Sequence, residues 1–319
     1  MMMNADLSSP ARADAAVFAR RRRRTRLREA GLAYLLVLPV ILFLMTLIIL
    51  PALSVVWDSL TAAPAHGRGS ALGLNIYTAI LSDPINQHDI IFTLVVTVVT
   101  VALLLPLCYG LALYLHFSRS RLVFWYRLLC IIPLFIPTII SAFSFIVFFQ
   151  NQGVLDGLLG TLGIKTLLHL TYVEPINDRA GLGIILGSIW NSIPITVLLL
   201  GAGLREIDDT LIEAARDVGA GAWPIFSRIV VPLTLRQALI ALTLSFIGVL
   251  GSFTIPYLLG PTAPRMLGPL LDATFAEFRA PLQADALAVI TFLLAALVGL
   301  AYVMAMSRRT TNAAAGKEA

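Results

Sequence analysis

Few side chains in this sequence are placed to carry out chemistry. The two cysteines, Cys108 and Cys130, each lie inside an apolar run, where a thiol packs as a small apolar group rather than as half of a disulfide or metal pair. The four histidines, His66, His88, His116 and His169, are scattered near run ends or in connecting segments. Five acids do cluster: Glu206, Asp208, Asp209, Glu213 and Asp217. Such a group can act as an acid–base pair or hold a cation, but no His or Cys lies near it to complete a site. The alternative is the solvated face of a loop helix. No G-x-x-x-x-G-K-[ST] occurs; the only Gly-Lys pair is Gly316-Lys317, followed by Glu318. G-x-S-x-G and H-E-x-x-H are also absent. The chain is therefore not expected to be an enzyme or to hold a metal or cofactor of its own.

The elements that position these residues are apolar. The chain is 58% hydrophobic and 13% charged, with a mean hydropathy of +0.88. Soluble domains carry roughly twice that share of charge, so the composition is that of a membrane protein. Charge-poor runs occur at Gly31–Trp57, Ile90–Ser118, Leu128–Leu155, Ala180–Leu204, Gln237–Pro264 and Ala286–Ser307. Each is long enough to span a bilayer, and helix is the form that satisfies the backbone in lipid. Prolines at positions 106, 133, 137, 194 and 256 mark expected kinks, with Pro133 and Pro137 on one side of the third span. The predicted fold is all-α: a basic tail over residues 1–30, a six-span domain over 31–307 and a short tail over 308–319.

Eighteen Lys and Arg fall in the tails and in the second and fourth connections, against five in the others. That bias places both termini and the segment around 205–235 on the cytoplasmic side. The net charge of +5 is thus topological and gives no sign of nucleic-acid binding. The cluster Arg20 to Arg24, with Arg26 and Arg28, reads as an orienting tail next to membrane lipid.

The spans hold almost no ionisable groups, which argues against an ion-coupled secondary carrier. Their polar residues are Asn191 and Ser192 beside Pro194, Ser141 and Ser144 after the proline pair, and Ser252, Thr254 and Tyr257 in the fifth span. Hydroxyls in membrane helices commonly bond their own backbone. The other reading is a translocation pathway, with Asn191 favoured because its amide needs partners beside a helix breaker. Contacts of this neutral kind would be weak and would leave selectivity to other subunits.

The polar island at 205–235 has its own pattern. Asp208 and Asp209 stand where an N-cap and first-turn acid belong. From Ile207, apolar residues recur at Leu211, Ala214, Ala215 and Val218 at helical spacing and so share one face, and Gly219 follows where a helix ends in the left-handed conformation. A second short helix is expected to start at Pro224 and to stop at Pro232. Within this island, Glu213-Ala214-Ala215 is followed by three residues, Gly219, nine residues, then Ile229-Val230-Val231-Pro232.

That spacing resembles the EAA loop of the permease subunits of type I ABC importers, with Val231 where the family has Leu. More loosely, the likeness runs from about Ile90 to Met306. It implies the six-span permease fold in a bacterial inner membrane, and a coupling role for Glu213, Ala214, Ala215, Gly219, Ile229 and Pro232. It also implies two copies of a separate ATPase subunit that use ATP and Mg, a second permease subunit and an extracytoplasmic solute-binding protein. Within the family the chain looks most like the spermidine/putrescine group, with sugar-type and sulfate-type permeases as alternatives.

Overall fold

The computed structural model describes residues 35–61, 73–163 and 175–315. The basic tail, Arg68, Lys165 and Lys317 lie outside the described residues. The chain divides into two units, Met1–Asp58 and Ser59–Ala319. Helix α1, Leu35–Thr61, belongs to the first unit up to Asp58 and contains a π-turn at Met45–Ile49.

The second unit opens with α2 (Asn75–Ser82) and α3 (Pro84–Phe117). Asp83 separates them. Its carboxylate accepts from the Ile85 N–H at 3.0 Å, with Pro84 at the first helical position, so the start of α3 is specified locally. The expected span began at Ile90, but the helix begins six residues earlier.

The third apolar run is not one helix. It forms α4 (Leu122–Phe135) and α5 (Thr138–Phe149), with Ile136 extended at φ −94°, ψ 120° and α6 (Val154–Thr161) following. Pro137 is the cause, because its ring drives the preceding residue out of the helical region. Pro133 and Pro137 therefore do not share one side of a continuous span.

Helix α7 (Leu182–Arg205) starts after Gly181, which is left-handed at φ 74°, and Asp178 accepts from the Ala180 and Leu182 N–H groups. The short α8 (Asp209–Asp217) precedes α9, helical over Ala222–Leu250. The fifth expected span thus starts fifteen residues early and stops at Gly251, short of Pro264; α10 (Thr254–Leu259) is a separate piece. Beyond it come α11 (Leu267–Asp272), a π-turn at Ala273–Glu277, and α12 (Pro281–Ala315). Six of these stretches are long and apolar enough to cross a membrane, and the described residues form no strand.

Helices α3, α7 and α9 form the centre. One buried cluster joins Leu104, Cys108, Leu200, Leu204, Ile212 and Val230; a second joins Val96, Ile184, Val249, Ile255 and Leu259. Both cysteines are buried and unpaired, packed as the apolar context required. Close approach depends on small residues. A Cβ at Gly183 would stand 2.6 Å from the Pro175 carbonyl oxygen, whereas one at Gly110 would meet nothing within 4 Å.

This contrast makes a stability test. Gly183→Ala should destabilise the protein by about 1–3 kcal/mol through overpacking, while Gly110→Ala should be neutral or gain roughly 0.5–1 kcal/mol from reduced backbone entropy. Thermal unfolding of the purified protein in one detergent reads both; equal melting temperatures would refute the packing of α7 on the 175–260 region.

Candidate coupling loop and translocation pocket

The loop between α7 and α9 is built by local chemistry. The Asp208 carboxylate accepts from the Thr210 N–H at 3.0 Å and caps α8. This hydrogen bond holds the exposed carboxyl below the ordinary aspartate range. The cap is therefore in place at neutral pH and is lost only as pH falls through that lowered value.

At the other end, Gly219 has φ 81°. Its N–H donates to Arg216 O and that of Ala220 donates to Ala215 O, both at 2.9 Å. This pair of bonds is the Schellman closure, and a β-carbon at Gly219 would be disfavoured by its conformation, not by any neighbour.

Spacing did not tell which face of α8 turns inward. Ile207 and Ile212 are buried and Ala215 half-buried, while Leu211, Ala214 and Val218 face out, Val218 at 85% exposure. The predicted apolar stripe is therefore split: Leu211, Ala214 and Val218 turn outward, while Ile207 and Ala215 turn inward. Glu213 is exposed beside it.

The second helix also departs from expectation. It starts at Ala222, with Pro224 third in line, where no ladder bond is required of its nitrogen. Pro232 does not end it. The chain widens to a π-turn over Phe226–Val230 and continues through Pro232 to Leu250. The wider turn accommodates a residue that has no N–H to give and whose ring crowds the preceding turn. Ile229 is half-buried and Pro232 exposed, so the second half of the loop is the N-terminal end of α9 itself. Across its neck the Gln237 amide donates to the Glu206 carboxylate at 2.9 Å.

The polar residues at depth separate into two groups. Asn191, Ser192 and Ser252 line one pocket of about 300 Å³ between α7 and α9, together with Ser188, Ser245 and Gly248. The hydroxyls of Ser188 and Ser252 are buried and have no partner among the described residues. Ser245 lies 3.3 Å from Thr196 across the two helices. No ionisable side chain lines the pocket.

Ser141, Ser144 and Tyr257 are not part of it. Ser144 donates to Ile140 O at 2.8 Å, Ser141 is buried on α5, and Tyr257 stacks on Phe253. Sequence reasoning missed Ser188 and Ser245. The signal was present: 188, 191 and 192 share a helix face, as do 245, 248 and 252.

The family model for binding-protein-dependent transport system inner membrane components matches residues 108–312. The chain belongs to this family. It is thus a multi-pass inner-membrane permease of a binding-protein-dependent ABC importer, as the loop at 213–232 implied. It is 30% identical over 284 residues to the trehalose/maltose transport system permease protein MalF of Thermococcus litoralis, covering 86% of this chain and 94% of that one. It is 26% identical over 250 residues to the spermidine/putrescine transport system permease protein PotB of Escherichia coli, covering 76% and 86%. The fold matches a crystal structure of a bacterial alginate ABC transporter in complex with an alginate pentasaccharide-bound periplasmic protein, with a TM-score of 0.75 at 18% identity, over 90% of this chain and 97% of the other.

In this permease the left-handed turn at position 219 sets the angle between α8 and α9. Gly219→Ala should raise the energy of the turn by about 1–2 kcal/mol. Faster amide exchange over 209–221 than in the parent protein is the expected result, with Gly219→Asn intermediate. Unchanged exchange in Gly219→Ala would show that the turn is not held as described.

Proposed function

We propose that this chain is one of a pair of permease subunits, moved by two separate ATPase subunits through the loop at 205–235 and supplied from outside by a solute-binding protein. ATP and Mg would act in the ATPase subunits. Both termini and the loop would be cytoplasmic, following the distribution of Lys and Arg. The observation that carries this reading is the outward face of α8. Leu211, Ala214 and Val218 stand exposed on a helix fixed at both ends, beside the charge of Glu213. A rigid apolar ridge with one acid on it is suited to a cleft in another subunit.

The test joins orientation to docking. A single cysteine at position 216 should resist an impermeant thiol reagent added outside intact cells, and one at position 272 should react. Glu213→Lys and Val218→Glu should insert normally yet lose the ATPase subunit on purification. External labelling of position 216, or full ATPase recovery with both variants, would overturn the assignment.

The solute is the second question, and the relatives carry names from both sugar and polyamine transport. The pocket between α7 and α9 favours the sugar reading. It offers hydroxyls and an amide without one carboxylate, so a polyamine would give up hydration with no opposite charge to receive it. Sulfate would fare no better. A neutral, hydroxyl-bearing solute can exchange its water for Ser188, Asn191, Ser245 and Ser252.

In proteoliposomes holding the full complex, labelled maltose or trehalose should accumulate with ATP, and spermidine and sulfate should not. Asn191→Ala should slow uptake several-fold at most without changing which solutes compete. Accumulation of spermidine or sulfate alone would return the solute to the charged classes.

A further inference from the structure

One helix holds both the outer loop and the cytoplasmic loop. At about 1.5 Å per residue the 34 residues of α3 reach roughly 51 Å, well beyond the ~30 Å hydrocarbon layer. Its outer end is tied by two buried side chains one turn apart. The Asp89 carboxylate accepts from the Arg265 N–H at 2.9 Å, and the Thr93 hydroxyl accepts from the Leu267 N–H at 3.0 Å. Thr93 also donates to Asp89 O at 2.8 Å, so its one proton is committed and it can only accept from Leu267. These bonds fix the chain as it enters α11, whose extension carries the exposed Phe275 and Phe278.

The inner end of α3 grips the π-turn. The Tyr109 and Thr234 hydroxyls lie 3.0 Å apart and are buried. Thr234 spends its proton on Val230 O at 2.7 Å, so Tyr109 is the donor between them. The Tyr109 ring also meets Phe226 edge-on at 5.7 Å. Val230 and Phe226 are the two ends of the π-turn, one helical turn (Ala222–Ile225) beyond the end of α8. One turn further, Leu113 and Phe117 form a cleft with Ile212, Trp223 and Phe226. Pro106 removes one ladder bond but does not break the helix.

We propose that α3 is a tie rod between the outer docking loop and the ATPase-facing loop, with Asp89, Thr93 and Tyr109 as its positioning residues. The yielding element is the π-turn at Phe226–Val230, which has one residue in excess of the α-helical ladder and leads into Pro232. A shift of the 265–272 segment moves α3 through the Asp89 and Thr93 bonds. Tyr109 then moves the π-turn, and with it the angle of α8. This rests on the permease reading for the purpose of the two loops, but the mechanical link is a property of this chain alone.

Coupling of this kind is reciprocal, and that is the test. Amide exchange is measured on the full chain in nanodiscs, with no partner and no solute. Thr93→Val removes one of the two outer bonds and should speed exchange at 226–230 by about fivefold. Tyr109→Phe keeps the ring, removes the inner hydrogen bond, and should speed exchange at 265–272 comparably. Asp89→Asn keeps an acceptor for the Arg265 N–H and should stay close to the parent protein at both ends. Exchange altered only at the mutated end, in both variants, would reduce these residues to local packing and overturn the proposal. Recovery of the ATPase subunit with the parent protein is scored separately, so failure of the permease reading is not mistaken for failure of the rod.

Discussion

A lipid-embedded chain has no water to satisfy its peptide groups, and this constraint governs where its helices can be broken. A helix may break within the bilayer only where the freed N–H and C=O groups are buried in protein or face a polar cavity. Among the interruptions found here are those at Ile136-Pro137, at Ser252-Phe253 and at the π-turn of Phe226–Val230. The second borders the neutral pocket and the third borders the loop of the EAA pattern. Two of the departures from regular helix thus lie at candidate functional surfaces, whereas the break at Ile136-Pro137 and the π-turn at Met45–Ile49 line neither.

The two candidate surfaces use different physics. The pocket is a set of neutral hydrogen-bonding groups, two of them hydroxyls without a partner among the described residues. A buried hydroxyl without a partner raises the energy of the empty state, so a solute that supplies the bond is favoured while binding stays weak overall. The loop between α7 and α9 is instead a rigid shape. Asp208 and Gly219 fix the two ends of α8, and Ile207, Ile212 and Ala220 seat it against the inner ends of α3 and α7. What remains outside is a firm apolar ridge, suited to carrying force without chemistry.

Much of this was legible in the sequence where the signal is local. The cap at Asp208, the left-handed Gly219 and the apolar runs depend on near neighbours, and the structure has them as expected. Features set by tertiary contact were not legible. Asn86, Gln87, His88 and Asp89 interrupt the apolar pattern, so α3 seemed to start at Ile90; its true start rests on the Asp83 cap and on Asp89 meeting a backbone 176 residues away. Pro232 reads as a terminator on local rules, yet packing of Val230 and Thr234 carries the helix through it by way of the π-turn. The spacing of Leu211, Ala214 and Val218 defined a face without saying whether it turns in or out. Serines at 188 and 245 each look like single packing hydroxyls and gain meaning only when α7 and α9 meet.

The central claim is that force enters this subunit at the outward face of α8. The most direct measurement is disulfide trapping in the assembled complex, with Cys108 and Cys130 replaced by Ala and one new cysteine introduced. A cysteine at position 214 should cross-link to a cysteine in the ATPase subunit, and ATP hydrolysis should stop until the bond is reduced. A cysteine at position 275 should form no such adduct. Absence of any adduct from position 214 in an assembled, active complex, or an adduct from position 275, would contradict the account.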